Sequence, residues 1–398
     1  ALPILEEGQP DFIEQNIHSI LHKAGLNTQI HGKDVLPMGG EYTGGVLLKG
    51  IRAFIETYAP QLLTAPVAAA QAGNSLAISE AVAQVHPRPP SFCTGCPERP
   101  IFTAIKMIEK ELGQHHVSCD IGCHLFSILP PFNIGATTMG YGLGWAGASA
   151  FNTSETSKRT VSIMGDGGFW HNGLLTGVQS ALFNGDDAVL LIFKNGYTSA
   201  TGTQDIINTP SENTKDAATD KRQSLVHTDQ TIESTLKGLG VQWLRTVHTY
   251  EVSHMQATLT EAFTTEFQGL KVIVAEGECQ LERQRRIKPW LASLLSQGER
   301  VERVKYGVDE DVCNGDHACI RLSGCPTLTL KDNPDPLKVD PVATVIDGCV
   351  GCGLCGENAH AATLCPSFYR AEVVQNPKWH ERLWHSLQSS VVRLLQPA

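Results

Sequence analysis

Seven of the chain's 12 cysteines crowd into residues 313–365, and no other feature of the sequence restricts its folding as much. The surrounding segment, residues 304–369, is punctuated by Gly and Pro and short in helix-forming runs, so it cannot enclose a large apolar core. A unit that small needs a staple to fold. Disulfides are one candidate, but the chain starts Ala1-Leu2-Pro3-Ile4-Leu5-Glu6-Glu7, with no basic region ahead of an apolar one and no small-residue cleavage site. No secretory signal is therefore expected, and the expected location is the cytoplasm. Thiols kept there are expected to serve metal. The remaining cysteines are also grouped: Cys93 with Cys96, Cys119 with Cys123, and Cys279 apart.

The spacing within the crowd narrows the chemistry. Cys349-Val-Gly-Cys352-Gly-Leu-Cys355 reads C-x2-C-x2-C and is followed by Cys365-Pro366. This resembles the bacterial ferredoxin pattern, in which three close thiolates hold one cluster and the Cys before Pro crosses to the other. The gap before Cys365 is residues 356–364, longer than the usual three, which reads as an inserted loop. The first half is Cys313-Asn-Gly-Asp316-His-Ala-Cys319, then Cys325-Pro326, with an aspartate where the middle thiolate normally stands. Crossing implies one [4Fe-4S] site from Cys325, Cys349, Cys352 and Cys355. The second would use Cys313, Cys319 and Cys365, with Asp316 as the candidate fourth ligand. A carboxylate holds iron less well than a thiolate, so [4Fe-4S] and [3Fe-4S] both stay open there. Structural zinc is the alternative, but it favours paired C-x2-C motifs over triplets ending in Cys-Pro. His317 and His360 are read as surface residues.

Bulk properties exclude other classes. A net charge of −10 argues against nucleic acid, which requires clustered Lys and Arg. No apolar run approaches the roughly 18 residues of a membrane span. The chain's 398 residues leave room for two or three domains. Residues 1–65 read as a partial α/β segment, with a strand at 2–5 and an amphipathic helix at 10–23. Residues 66–90, rich in Ala and ending Pro87-Arg88-Pro89-Pro90, read as a linker. Over 91–290, strands predicted at 160–164, 188–193, 241–246 and 271–275 alternate with helices at 169–182, 231–239 and 251–266. Such alternation predicts an α/β fold with a mostly parallel sheet covered on both faces. A charged link at 282–303 leads to a small α+β, ferredoxin-like two-cluster domain at 304–370, and 371–398 is expected to be a C-terminal helix.

Within the α/β region, Gly165-Asp166-Gly167 follows a predicted strand and precedes a helix, and Asn195 ends the next strand. A lone Gly-Asp-Gly is a common turn, so the argument rests on context. Mg2+ takes hard oxygen ligands and bridges phosphates. Asp166 offers a carboxylate, Asn195 an amide oxygen, and Tyr197 a backbone carbonyl. The glycines admit a diphosphate, and a helix start faces it with positive charge. This resembles the signature of thiamine-diphosphate enzymes, although Gly196 stands where a second Asn is often found. Gly140, in Met139-Gly-Tyr-Gly-Leu-Gly-Trp, would let a helix start approach the cofactor, and close helix packing explains it equally well.

Two further motifs, Cys93-Thr-Gly-Cys96-Pro97 and Asp120-Ile-Gly122-Cys123, flank this region. With the ferredoxin-like module behind them, and with Thr201-Gly202-Thr-Gln204 after Asn195, the chain resembles 2-oxoacid:ferredoxin oxidoreductases of the indolepyruvate type. The resemblance runs over about residues 91–369, and more weakly over 1–65. It implies that Cys93, Cys96, Cys123 and the distal Cys279 hold a third cluster beside the thiamine diphosphate. It also implies that Gly122, Thr201 and Gly202 belong to the cofactor site, and that His171, in Phe169-Trp-His-Asn172, is the candidate catalytic residue. Cys119 replaces the family's Gly and is either a plain buried thiol or a competing ligand.

The implied reaction is oxidative decarboxylation of a 2-oxoacid, an aryl pyruvate such as indolepyruvate foremost, to acyl-CoA and CO2, with electrons leaving through three clusters to ferredoxin. The family also needs a pyrimidine-binding domain and one that helps bind coenzyme A. Neither is recognisable here, so a partner subunit, or a further N-terminal portion of the same polypeptide, is expected to complete the site, and a hetero-oligomer is expected. An electron-transfer subunit with a vestigial thiamine site, and a non-oxidative thiamine decarboxylase or synthase, remain the alternatives.

Overall fold

The computed structural model describes residues 1–63, 90–152, 158–210 and 230–395, and divides the chain into two compact units, 1–89 and 90–398. The expected linker, 66–90, lies outside the described residues except for Pro90. In the first unit, Leu2–Pro3 pairs in parallel with Ile30–His31 across the helix Phe12–Lys23. A second helix, Gly44–Tyr58, is capped by the Thr43 hydroxyl and buries Phe54. The predicted strand and helix are thus present but shorter, because Pro10 and the short pairing partner at 30–31 limit both.

The second unit is built on a six-stranded, wholly parallel sheet. Its order is Thr137–Thr138, Val117–Cys119, Val161–Gly165, Val189–Lys194, Lys271–Glu276, Trp243–His248. The apolar runs Val-Ser-Ile-Met and Val-Leu-Leu-Ile-Phe are continuous rather than alternating because these strands are buried on both faces. One face packs Ile101, Phe102 and Ile105 of the helix Arg99–Leu112 with Met255 and Leu259 of the helix Val252–Thr264. The other packs Trp145, Phe169 and Leu236. Strand order reverses beside Val117–Cys119 and Val161–Gly165, so their carboxyl ends open on the crevice where such folds bind ligands. Those ends are followed by Asp120 and Asp166.

The helix predicted at 169–182 starts earlier. It runs without a break from Asp166 to Asn184, and its middle, Phe169–Gln179, winds as a π-helix. The wide turns coincide with Gly173 and Gly177, both packed against Met164.

The expected charged link at 282–303 is ordered structure instead. A helix spans Gln280–Ser296 with Pro289 inside it, and a strand follows at Val301–Val308. Its charges and internal proline hid it, since only Gln280 and Glu282 are buried and no apolar face repeats. That strand pairs antiparallel with Phe368–Gln375, from Val301 opposite Gln375 to Val308 opposite Phe368. Between the two lie a second pair, Leu328–Lys331 with Val342–Val345, and two helices, Ala318–Ser323 and Leu354–Thr363. The helical part of 371–398 therefore begins only at Trp379, and Trp379–Leu395 buries no residue.

Candidate cofactor site and thiol sets

Asp166 sits at the end of a fully covered strand, and its carboxylate is wholly buried. Oδ2 accepts from the backbone N–H of Asn195 (2.9 Å) and Gly196 (2.7 Å) and from Asn208 Nδ2 (3.1 Å), while Oδ1 accepts only from Gly167 N–H (3.0 Å). Burial pushes its pKa up to about 6 in spite of these donors. Asn195, on the adjoining strand end, directs Oδ1 at Tyr197 N–H (3.1 Å) and the Ser199 hydroxyl (3.0 Å) and donates from Nδ2 to Glu98 (3.3 Å). A cleft of about 320 Å³ opens here, lined among others by Gly122, Cys123, Gly165, Gly167, Tyr197 and Thr201.

Glycines let backbone and side chains close around Asp120. Gly142 has φ +74°, and a Cβ there would stand 2.6 Å from Gly168 O, while one on Gly168 would collide with Asp120 Oδ2. Gly142 N–H donates to that same oxygen (2.8 Å). The other oxygen of Asp120 faces His124 Nε2 at 2.8 Å, and both residues are fully buried. Burial disfavours the imidazolium, but the hydrogen bond and charge of Asp120, with Glu98, raise the His124 pKa above its ordinary value. Glu98 is pushed up to about 7 by burial, with His124 opposing that shift and Asp166 adding to it. One of its oxygens and the Tyr197 hydroxyl are buried without partners.

One thiol, Cys123, lines this cleft, and others follow it away from the cleft. Cys93 and Cys96 join through a turn in which Cys96 N–H donates to Cys93 O (3.0 Å), and Cys279 N–H donates to the backbone carbonyl of Asn195 (3.1 Å), tying the two chain segments together. Burial first, then Glu98, Cys279 and Cys93, push the Cys123 thiol up, so these side chains act on one another. In the small module, burial and then Cys352, Cys325 and Cys349 push Cys355 up to about 12. Cys319 is pushed up to about 11 by burial, with Cys365 and Cys313 adding to it. Cys313, Cys319, Cys365 and Asp316 line one small cavity. Asp316 is exposed; Oδ1 meets Arg321 Nη2 at 3.1 Å, Oδ2 accepts from Ala318 N–H, and Arg321 holds the carboxyl below its ordinary range. Among the described residues, no three His, Cys, Asp or Glu side chains converge on one metal-ion position. Cys119 lies inside its strand, and burial pushes its thiol up to about 12.

Some expected residues lie elsewhere. His171 is exposed, and its ring packs 5.1 Å from Tyr141, which lines the cleft and bonds Thr198 (2.9 Å). It lies outside the cleft's lining because it follows the helix start onto the solvent side. Gly140 is also exposed, and the close approach belongs to Gly142. Gly202 has φ +116° and gives its carbonyl to Arg285 (3.2 Å), outside the lining. Sequence reasoning missed Glu98, His124 and Asn208; only the i, i+4 spacing of Asp120 and His124 hinted at a pairing.

The oxygens fit a diphosphate-bound divalent ion. Asp166 Oδ1 carries a single donor, and Asn195 Oδ1 stands at the next strand end. The thiol sets fit clusters by donor type. Residues 120–275 match the family model of the thiamine pyrophosphate enzyme, C-terminal TPP binding domain. The chain is similar to indolepyruvate oxidoreductase subunit IorA of Pyrococcus abyssi, 29% identical over 380 residues, covering 91% of this chain and 51% of that protein. The same subunit of Thermococcus kodakarensis is 29% identical over 378 residues, with the same coverage. The chain thus spans about half the length of the curated relatives it matches. A solved 2-oxoglutarate:ferredoxin oxidoreductase from Magnetococcus marinus aligns at TM-score 0.39 and 16% identity, over 49% of this chain and 66% of that one, too loosely to bear on the assignment. Residues 120–275, which carry Asp120, Asp166 and Asn195, thus match the TPP binding domain of thiamine pyrophosphate enzymes and share its fold, in a chain similar over most of its length to IorA subunits.

Proposed function

We propose that the chain supplies the thiamine-diphosphate and iron–sulfur half of a 2-oxoacid:ferredoxin oxidoreductase. The observation that carries this reading is the shared cleft, in which the Cys123 thiol lines the same wall as Gly165, Gly167 and Asn195. Asp166 and Asn195 would hold Mg2+ with a carbonyl near Tyr197. Cys93, Cys96, Cys123 and Cys279 would hold the adjacent cluster, and the small module the other two. Bound there, thiamine diphosphate supplies the electron sink for decarboxylation. The chain's own part would be to anchor the diphosphate through Mg2+ held by Asp166 and Asn195, to admit it at the glycine turn, to exclude water behind buried Glu98 and His124, and to hold on its thiolates the iron that would take single electrons. The relatives' names favour an aryl pyruvate such as indolepyruvate, with coenzyme A taking the acyl group and ferredoxin the electrons. The pyrimidine-binding and coenzyme A domains would come from a partner or from a further portion of the same polypeptide, and a reducing cytoplasm suits the thiols.

The test is made on protein prepared without oxygen. Iron and acid-labile sulfide are quantified, and thiamine-diphosphate binding is measured by calorimetry with and without Mg2+. Metal-dependent binding by an iron-replete chain is the expected result. Iron without cofactor binding would leave an electron carrier, and cofactor binding without iron would leave a non-oxidative thiamine enzyme.

A further inference from the structure

Arg99 is fully buried at the start of the helix Arg99–Leu112, three positions after Cys96. Nη1 donates to Ser323 O (2.9 Å), just ahead of Cys325, and one turn further on the Thr103 hydroxyl donates to Leu322 O (2.6 Å). Nε and Nη2 have no partner among the described residues. Glu98, the adjacent carboxyl, is pushed by burial toward its neutral form and makes no ion pair with Arg99 among the described residues. The loop joining Cys93 to Cys96 also meets the loop joining Cys349 to Cys352. Gly95, φ +75°, lies so close to Val350 Cγ2 that a Cβ would stand 2.5 Å away, and its carbonyl accepts from Tyr250, which packs beside Cys352. Burial pushes the thiols of Cys93, Cys96 and Cys352 up, and the charge of Arg99 opposes that shift in all three.

A guanidinium buried with two unmatched N–H groups is costly unless negative charge faces it. The groups at this joint that become negative once they hold iron are the thiols, Cys96 on the cofactor side and Cys352 on the module side. We propose that Arg99 is a positioning residue for electron transfer: a permanent cation between these two thiol sets that raises the reduction potential of the clusters they hold and clamps the module to the TPP binding domain. The inference rests on the iron–sulfur reading above. A cluster gains one negative charge on reduction, so a fixed positive neighbour stabilises the reduced form more than the oxidised one. N–H donation to its sulfurs acts in the same direction. Arginine suits this role because it keeps its charge even when wholly buried.

The experiment is a redox titration of the anaerobically prepared chain followed by electron paramagnetic resonance, with iron counted in every sample. Arg99→Met and Arg99→Gln are expected to move the midpoint of at least one cluster to a more negative potential. Arg99→Lys, which keeps the charge, should stay near the parent. Thr103→Val, which removes the neighbouring bond but no charge, should leave potentials unchanged. Iron-replete Arg99→Met or Arg99→Gln with unmoved potentials overturns the proposal, as does a shift in Thr103→Val equal to theirs. If Arg99→Met loses its iron, Arg99→Gln, which keeps donors in place, decides the matter. A parent chain without iron and sulfide overturns the underlying functional reading, a result distinct from unmoved potentials.

Discussion

Asp166 is held between two demands. Burial favours its protonated form, and the proposed ligand role requires it ionised. Its folded pKa, about 6, lies above the ordinary aspartate value, so between that value and about 6 the folded state binds more protons than the unfolded one. The stability of the metal-free chain therefore falls as pH rises through this window, by on the order of 3 kcal/mol for a shift of this size. Bound Mg2+ reverses the preference. Mg2+-dependent cofactor binding is expected to weaken as pH drops below about 6, measurable by calorimetry across pH. Asp166→Asn should bind at least tenfold more weakly at neutral pH; equal affinity would remove Asp166 from the metal. Gly142→Ala is a second residue-scale test. A left-handed φ and a carbonyl at 2.6 Å leave no room for a Cβ, so a loss on the order of 3 kcal/mol is expected in chemical denaturation. The meeting of Asp166 and Asn195 was legible because each follows a predicted strand, and the two strands pair side by side. Glu98 and Asn208 were not, since they reach these residues across 97 and 42 positions of chain, and only the fold creates those contacts.

At the scale of elements, the parallel strands announced themselves through continuous apolar runs, and the helix Val252–Thr264 through its spaced Val252, Met255, Leu259 and Ala262. The helix Gln280–Ser296 did not, because nearly all of it faces outward and a proline interrupts it. The strands Val301–Val308 and Phe368–Gln375 have only one buried residue between them, Val301, so neither carries an alternating signal. The helix Trp379–Leu395 buries nothing, and Arg300 pairs with Glu381 at the surface. Ending the chain after Asn376 is therefore expected to leave iron content and the denaturation midpoint essentially unchanged. A large drop in either would show that the helix supports the module. Gly351→Ala is expected to do the opposite. With φ +74°, Gly351 lies against Val304 O, and a side chain there would push the loop between Cys349 and Cys352 off the ribbon, lowering iron per chain.

At the scale of the whole molecule, the second unit carries the TPP binding fold and the cysteine-rich module in one body. No helix among the described residues is long and apolar enough to cross a membrane. The relatives are about twice as long as this chain. On the proposed function, turnover of an aryl pyruvate by these 398 residues is expected only after a polypeptide carrying the pyrimidine-binding domain is added, and turnover without it would contradict that proposal.

The ribbon of Val301–Val308 and Phe368–Gln375 closes at both strand ends. Everything from residue 309 to 367 leaves and returns through a single doorway. Lengthening the chain just before Val301 would displace the seven thiols as a set, with their mutual arrangement kept. Should those thiols hold iron as proposed, the doorway's footing would set the distance from Cys352 to Cys96, and with it how fast an electron crosses.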